Sequence, residues 1–282
     1  MRLLALLVSL GSLPAWCFDI PVWKSIDRVI IVVLENTSYS NAVQQPFQKQ
    51  LISRGALLTN YFALTHPSQP NYIGLIAGDM FGVDSDANFD LNATMLTDLL
   101  EKAGKTWKVY AEDYPGDAQN CFLERKRGLY VRKHVPFLSF KPVQTNPKKC
   151  SNIVSAQKYF AKDLAAGALP AFSFYVPNLN NDGHDTSPAF ADRALLKVFA
   201  PVLSNQPLMA RTLFIVTYDE DDMSAGNQVY TVLVGGTVQA GVRSSIKYNH
   251  FSLLRTIEEI FQVGTLGRYD AKASPILDIW AK

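Results

Sequence analysis

The side chains with chemical potential in this 282-residue chain fall in four short clusters. Thr65-His66-Pro67-Ser68-Gln69-Pro70-Asn71-Tyr72 precedes Ile73 to Gly78. Pro70 suits a first helical turn, which puts Ser68 at or just before a helix N-terminus. Free backbone N–H groups and the positive end of the helix dipole favour a phosphate there. The alternative is that Ser68 only caps the helix. Glu35-Asn36 follows an apolar run, and Asn180-Asn181-Asp182-Gly183-His184-Asp185 follows a second. Asp219-Glu220-Asp221-Asp222 follows a third. Carboxylate and amide oxygens beside imidazole nitrogens are ligands for hard divalent cations. A serine hydroxyl needs a metal or a base before it becomes a useful nucleophile.

The elements that position these clusters read as strands and helices in alternation. Val29–Leu34, Trp107–Ala111, Ala171–Val176, Leu213–Tyr218 and Val229–Val234 are apolar without polar alternation, as buried parallel strands are. Thr94–Ala103, Pro188–Leu203 and Phe251–Phe261 carry helical spacing. This is an α/β pattern in which a mostly parallel sheet is covered on both sides. Three of the acidic clusters then stand at carboxyl ends of strands, the edge where open α/β sheets bind ligands. Trp107, Phe172 and Phe174 read as core packing, and His134, with no acidic neighbours, as structural.

Four motifs together resemble the phosphoesterase family, which contains secreted acid phosphatases and bacterial phospholipases C within the alkaline phosphatase superfamily. They are His66-Pro67-Ser68-Gln69-Pro70-Asn71-Tyr72, Glu35-Asn36, Thr217 to Asp222, and Tyr248-Asn249-His250 continuing to Glu258. The resemblance spans roughly residues 27 to 262 and implies an alkaline-phosphatase-like three-layer αβα fold. Ser68 to Tyr72 is also similar to the Thr-Phe-Pro-Asn-His segment of nucleotide pyrophosphatases. That likeness implies Ser68 as nucleophile and Asn71 as oxyanion donor. His66, just before the nucleophile, reads either as a group that protonates a leaving group or contacts phosphate, or as a satisfied loop histidine. Glu35, Asn36 and Asp219 fall where superfamily members hold a metal beside the nucleophile, with Glu220 a further candidate. Asp182, His184 and His250 fall where they hold a second metal or contact phosphate, with Asp185 a further candidate. The implied cofactors are one or two divalent ions, of Zn, Ca, Mg or Mn. The implied reaction is hydrolysis of small phosphate monoesters through a phosphoserine intermediate. The alternatives are a phosphodiesterase or phospholipase C, and a secreted binding protein that kept the fold without catalysis. A sulfatase would need Arg where Tyr72 stands.

Composition bounds the remainder. With 48% hydrophobic and 18% charged residues the chain is ordinary for one globular domain. Met1 and Arg2 precede the apolar run Leu3 to Leu10, and Ala15-Trp16-Cys17 offers a cleavage site, so residues 1–17 read as a signal peptide and 18–282 as the domain. The run is shorter than the roughly 20 apolar residues of a membrane span. Removing Arg2 takes the formal net charge from +2 to +1, with no electrostatic footprint for nucleic acid. Arg125-Lys126-Arg127 with Arg132-Lys133 is the one basic cluster, read as a solvated loop. A secreted or periplasmic location makes Cys121 and Cys150 a disulfide pair.

Overall fold

The computed structural model describes residues 22–116 and 120–281. The leader reading of residues 1–17 lies outside them. The strands are β1 Arg28–Leu34, β2 Gly55–Leu58, β3 Tyr61–Phe62, β4 Trp107–Ala111, β5 Lys126–Arg127, β6 Tyr130–Val131, β7 Ile153–Ser155, β8 Phe172–Val176, β9 Thr212–Tyr218, β10 Thr231–Val234, β11 Arg243–Ser244 and β12 Tyr248–Asn249. Eight form one sheet in the order β11-β2-β10-β9-β1-β8-β4-β7. The centre β9-β1-β8-β4 is parallel throughout, with Val32 paired to Val216 on one side and to Tyr175 on the other.

Burial explains why these segments are strands. In β1 the run Val29 to Leu34 is wholly buried, so both faces need apolar side chains. Alternation sends neighbours to opposite layers. Tyr175 packs on Phe160 and Phe199, while Phe174 beside it packs on Phe137. Helices therefore cover both faces, as the α/β reading requires. One expectation needs correction. The fifth apolar run forms β10, and it pairs antiparallel with β9 and β2. An apolar run records burial on both faces but carries no information on strand direction.

Helix Ser68–Ala77 is buried along its whole length. It ends at Gly78, whose φ of 69° is left-handed and whose N–H returns to the Gly74 carbonyl. A Cβ at Gly78 would stand 2.4 Å from Asp270 Oδ1, so close approach as well as φ demands glycine. Cys121 and Cys150 are bonded, their Cα atoms 5.3 Å apart across 29 residues. On the chain-entropy account that closure contributes about 3–4 kcal/mol.

The helix His250–Phe261 carries a buried acid, Glu258, whose two oxygens have no hydrogen-bond partner. Burial, reinforced by the Asp270 charge and opposed by Arg255, pushes its pKa up to about 8 from an ordinary 4.5. The folded state thus holds a proton that the unfolded chain has released. This contribution to stability is complete below the unfolded pKa and is lost as pH rises through the folded one. Wild-type stability should accordingly fall between about pH 4.5 and pH 8 relative to Glu258→Gln. Denaturant titrations of both proteins at the two ends of that range check this, and a pH-independent difference would refute it.

Candidate active site

The central strands deliver their polar ends to one edge. β1 runs into Glu35-Asn36 and β9 into Asp219-Glu220, and the Asp219 N–H donates to the Leu34 carbonyl at 3.0 Å. The Glu35 N–H donates to the Asp182 carbonyl at 3.0 Å, which brings in the loop after β8. Asn36 takes φ 48°, a conformation Asn tolerates better than most residues. There its N–H donates to Asp219 Oδ1 at 3.3 Å.

Ser68 opens its helix, with Pro67 as the N-cap residue. Its hydroxyl therefore does not cap the helix. It faces Glu35 Oε2 at 3.1 Å and Glu220 Oε1 at 3.3 Å, and Lys133 Nζ donates to it at 3.4 Å. The Lys133 ammonium also pairs with Asp86 Oδ2 at 2.8 Å, while Asp86 Oδ1 accepts from the Gln69 N–H. His66 Nδ1 meets Glu220 Oε2 at 2.8 Å and its Nε2 meets Asp221 Oδ1 at 3.3 Å.

His134, read from the sequence as structural, is buried among these groups. Its Nε2 lies 3.2 Å from Glu35 Oε1 and its Nδ1 lies 3.3 Å from Asp182 Oδ2. These are ion-pair distances without hydrogen-bond alignment, since both nitrogens lack an aligned partner. Tyr72 stacks on the imidazole at 5.2 Å between ring centroids and donates its hydroxyl to Glu35 Oε1 at 2.5 Å. Burial alone would lower the His134 pKa, but Glu35 and Asp182 raise it to about 9. Burial would raise Glu35, but His134, Lys133 and Tyr72 outweigh it and bring the carboxyl to about 2. Both directions favour the imidazolium–carboxylate form of the pair. Lys133 also leaves the solvated-loop reading: it is half-enclosed beside Ser68. Arg132 next to it is buried, tying Asp90 to the carbonyls of Leu123, Phe89 and Leu138.

Two expected roles meet a different geometry. Asn71 Oδ1 accepts from the N–H groups of Leu64 and Thr65, and its Nδ2 donates to the carbonyls of Thr65 and Pro67. Its amide is fully engaged in holding the turn before Ser68 and has no donor left for an oxyanion. His250 Nδ1 accepts from the Tyr61 hydroxyl at 2.9 Å, and its Nε2 donates to the Asp219 carbonyl at 2.8 Å. Burial pushes its pKa down to about 4, so it is neutral, and neither nitrogen is open to a metal. It buttresses the backbone of Asp219 instead. His184 is part-exposed, its Nδ1 2.7 Å from Asp185 Oδ1 and its N–H on Asp182 Oδ1, with its ring 6.1 Å from that of His134.

The acids exceed the cations at this edge. Asp219 is raised well above the usual carboxyl range by burial and then by the Glu35 and Glu220 charges, and its Oδ2 is buried without a partner. Asn36 Oδ1 is a second orphaned buried oxygen. Among the described residues no three His, Cys, Asp or Glu side chains already surround a common point in ligand geometry. The orphaned oxygens and the uncompensated carboxylates nonetheless have the chemistry of a divalent-cation site.

The fold and this edge define a class. The chain has the fold of the alkaline phosphatase superfamily: it superposes on a protein of that superfamily from Vibrio parahaemolyticus with TM-score 0.60 at 14% identity, over 91% of this chain and 72% of that one. A phosphonate monoester hydrolase from Silicibacter pomeroyi superposes with TM-score 0.57 at 11% identity, over 88% and 77%. More closely, the chain belongs to the Phosphoesterase family, whose sequence profile matches residues 42–264. It is 36% identical to a probable acid phosphatase of Kluyveromyces lactis over 90% of its own length, and 35% identical to an acid phosphatase of Aspergillus fumigatus over 91%. The chain spans only 62% and 59% of those two fungal proteins. It is also 36% identical to a phosphatidylinositol-3-phosphatase of Mycobacterium tuberculosis, over 96% of this chain and 88% of that protein.

Proposed function

We propose that this chain is a secreted hydrolase of phosphate monoesters that uses Ser68 as its nucleophile. One observation carries the reading: the Ser68 hydroxyl, at the amino end of a buried helix, is held between Glu35 and Glu220 with the Lys133 ammonium against it. A hydroxyl so placed has acceptors for its proton and a cation for the phosphate it would attack. The apolar run Leu3 to Leu10, read as a signal peptide, and the Cys121–Cys150 bond support the secreted location.

In the first step the Ser68 oxygen bonds to phosphorus, the ester oxygen leaves, and the serine proton passes to Glu220. His66, on the other oxygen of Glu220, returns a proton to the departing alkoxide. In the second step water adds to phosphorus and gives a proton to His66, while the Ser68 oxygen leaves and takes back the proton held by Glu220. Lys133 holds the phosphoryl oxygens, since the Gln69 N–H is taken by Asp86 and Pro70 has none. Glu35, Asn36 and Asp219 would hold a divalent cation, and Asp182 with His184 a second. When bound, a cation supplies positive charge for the serine oxygen and the departing one.

The test compares kcat/KM for a monoester and a diester with one shared leaving group, before and after exhaustive chelation. The monoester should be preferred, and chelation should remove activity that a divalent salt restores. Equal values, or preference for the diester or a phospholipid, would move the assignment to a phosphodiesterase or phospholipase C. No turnover of either would leave a non-catalytic binding protein.

A further inference from the structure

A cavity of about 490 Å³ adjoins the nucleophile, lined by Arg125, Lys126, Lys133, Asp86, His184 and Asp185 over the apolar side chains of Val131 and Leu179. Lys133 belongs to both places, since its ammonium in the cavity wall also touches Ser68 Oγ. The size suits a group no larger than a sugar or a short polyol.

The charges in this wall are unequally matched. Asp86 is paired with Lys133, and Asp185 is hydrogen-bonded to the His184 ring. Arg125 and Lys126 have no carboxylate within ion-pair distance among the described residues. The hairpin of β5 with β6 presents them: Lys126 pairs across it with Val131, two residues before Lys133. The Arg125 carbonyl also accepts the Arg132 N–H at 2.9 Å, and buried Arg132 anchors this base to four other atoms. Two adjacent unmatched cations therefore stand at the start of an anchored hairpin, in the wall of a cavity whose Lys133 reaches the reacting hydroxyl. A neutral leaving group makes no use of them. An anionic one would complete the charge balance of the wall, and the Arg125 guanidinium could bind phosphate or carboxylate in two-pronged fashion.

We infer that the leaving group of the natural substrate carries an anionic group of its own, a second phosphate or a carboxylate, and that Arg125 and Lys126 bind it while Ser68 attacks the first phosphate. The inference rests on the phosphatase reading and gives it a substrate class: small doubly anionic phosphate esters. Exposed cations act through screened fields, so the preference must weaken with salt.

The experiment measures kcat/KM for three esters of one short diol skeleton: the monophosphate, the bisphosphate, and the monophosphate whose far end is a carboxylate. Wild type should favour the bisphosphate or the carboxylate ester over the monophosphate by about tenfold or more, as a charge-assisted contact allows. Which of the two leads identifies the anion. In Arg125→Ala/Lys126→Ala the ratio should collapse to within about twofold, whereas Lys102→Ala/Lys162→Ala, which removes two exposed cations elsewhere, should preserve it. Equal rates on all three esters in wild type, or a preference that survives loss of Arg125 and Lys126, overturns the inference and leaves the phosphatase reading standing. Absence of turnover on all three, with none on nitrophenyl phosphate, overturns both.

Discussion

Ser68→Ala should lower kcat/KM on nitrophenyl phosphate by about a thousandfold or more, equivalent to about 4 kcal/mol of barrier. The substitution removes one oxygen from a hydroxyl that is 1% exposed and held by Glu35, Glu220 and Lys133. Binding groups remain, so substrate affinity should survive while the covalent step is lost, and the fall should appear in kcat. Helix Ser68–Ala77 does not depend on this side chain for capping, because the N-cap position is Pro67. The variant should therefore fold with near wild-type stability. Activity within about tenfold of wild type would reject Ser68 as the attacking group, and a large loss of stability would make the kinetic result a folding effect.

His134→Ala should cost about 3–5 kcal/mol of folding stability, the usual penalty for stripping one partner from a buried ion pair. The imidazolium is the group that offsets Glu35 and Asp182 from one side, and Tyr72 is stacked over it. Its removal leaves Glu35 and Asp182 facing each other across a void, with Lys133, which is shared with Asp86 and Ser68, as the remaining cation beside Glu35. His134→Gln fills much of the space without the charge, so it separates packing from electrostatics: most of the loss should persist. Turnover should fall in both variants, because Glu35 holds the serine hydroxyl. Denaturant unfolding gives the answer, and a change below about 1 kcal/mol would mean that His134 is neutral and merely packed.

The parts of this site that the sequence exposes are those lying at ends of apolar runs. Glu35, Asp219 and Asp182 follow strands whose burial pattern is unambiguous, and adjacent parallel strands must bring such ends together. Ser68 was legible for a related reason, since Pro70 marks the first helical turn. His134 and Lys133 were not. They sit about a hundred residues from Glu35, in a short 3-10 turn, Arg132–His134, whose neighbouring apolar residues Tyr130, Val135, Phe137 and Phe140 keep neither helical nor strand period, and only the fold carries that segment over the sheet edge. A histidine without acidic neighbours in sequence can still have two in space. Asn71 and His250 show the converse. Both lie beside the site, yet four backbone groups around Asn71, and the Tyr61 hydroxyl with the Asp219 carbonyl at His250, take up their polar atoms. Residue type and spacing locate a side chain, whereas its free valence depends on backbone groups that no pattern reveals. The direction of β10 was hidden for the same reason, being set by its partners rather than by its composition.

The most direct measurement is a rapid acid quench during the first turnover of an activated monoester, followed by peptide mapping of the trapped protein. A phosphoryl group on Ser68, formed as fast as the leaving group is released and absent from Ser68→Ala, is the expected result. A phosphoryl group on another side chain, or a first turnover that proceeds at the same rate in Ser68→Ala, would contradict the account.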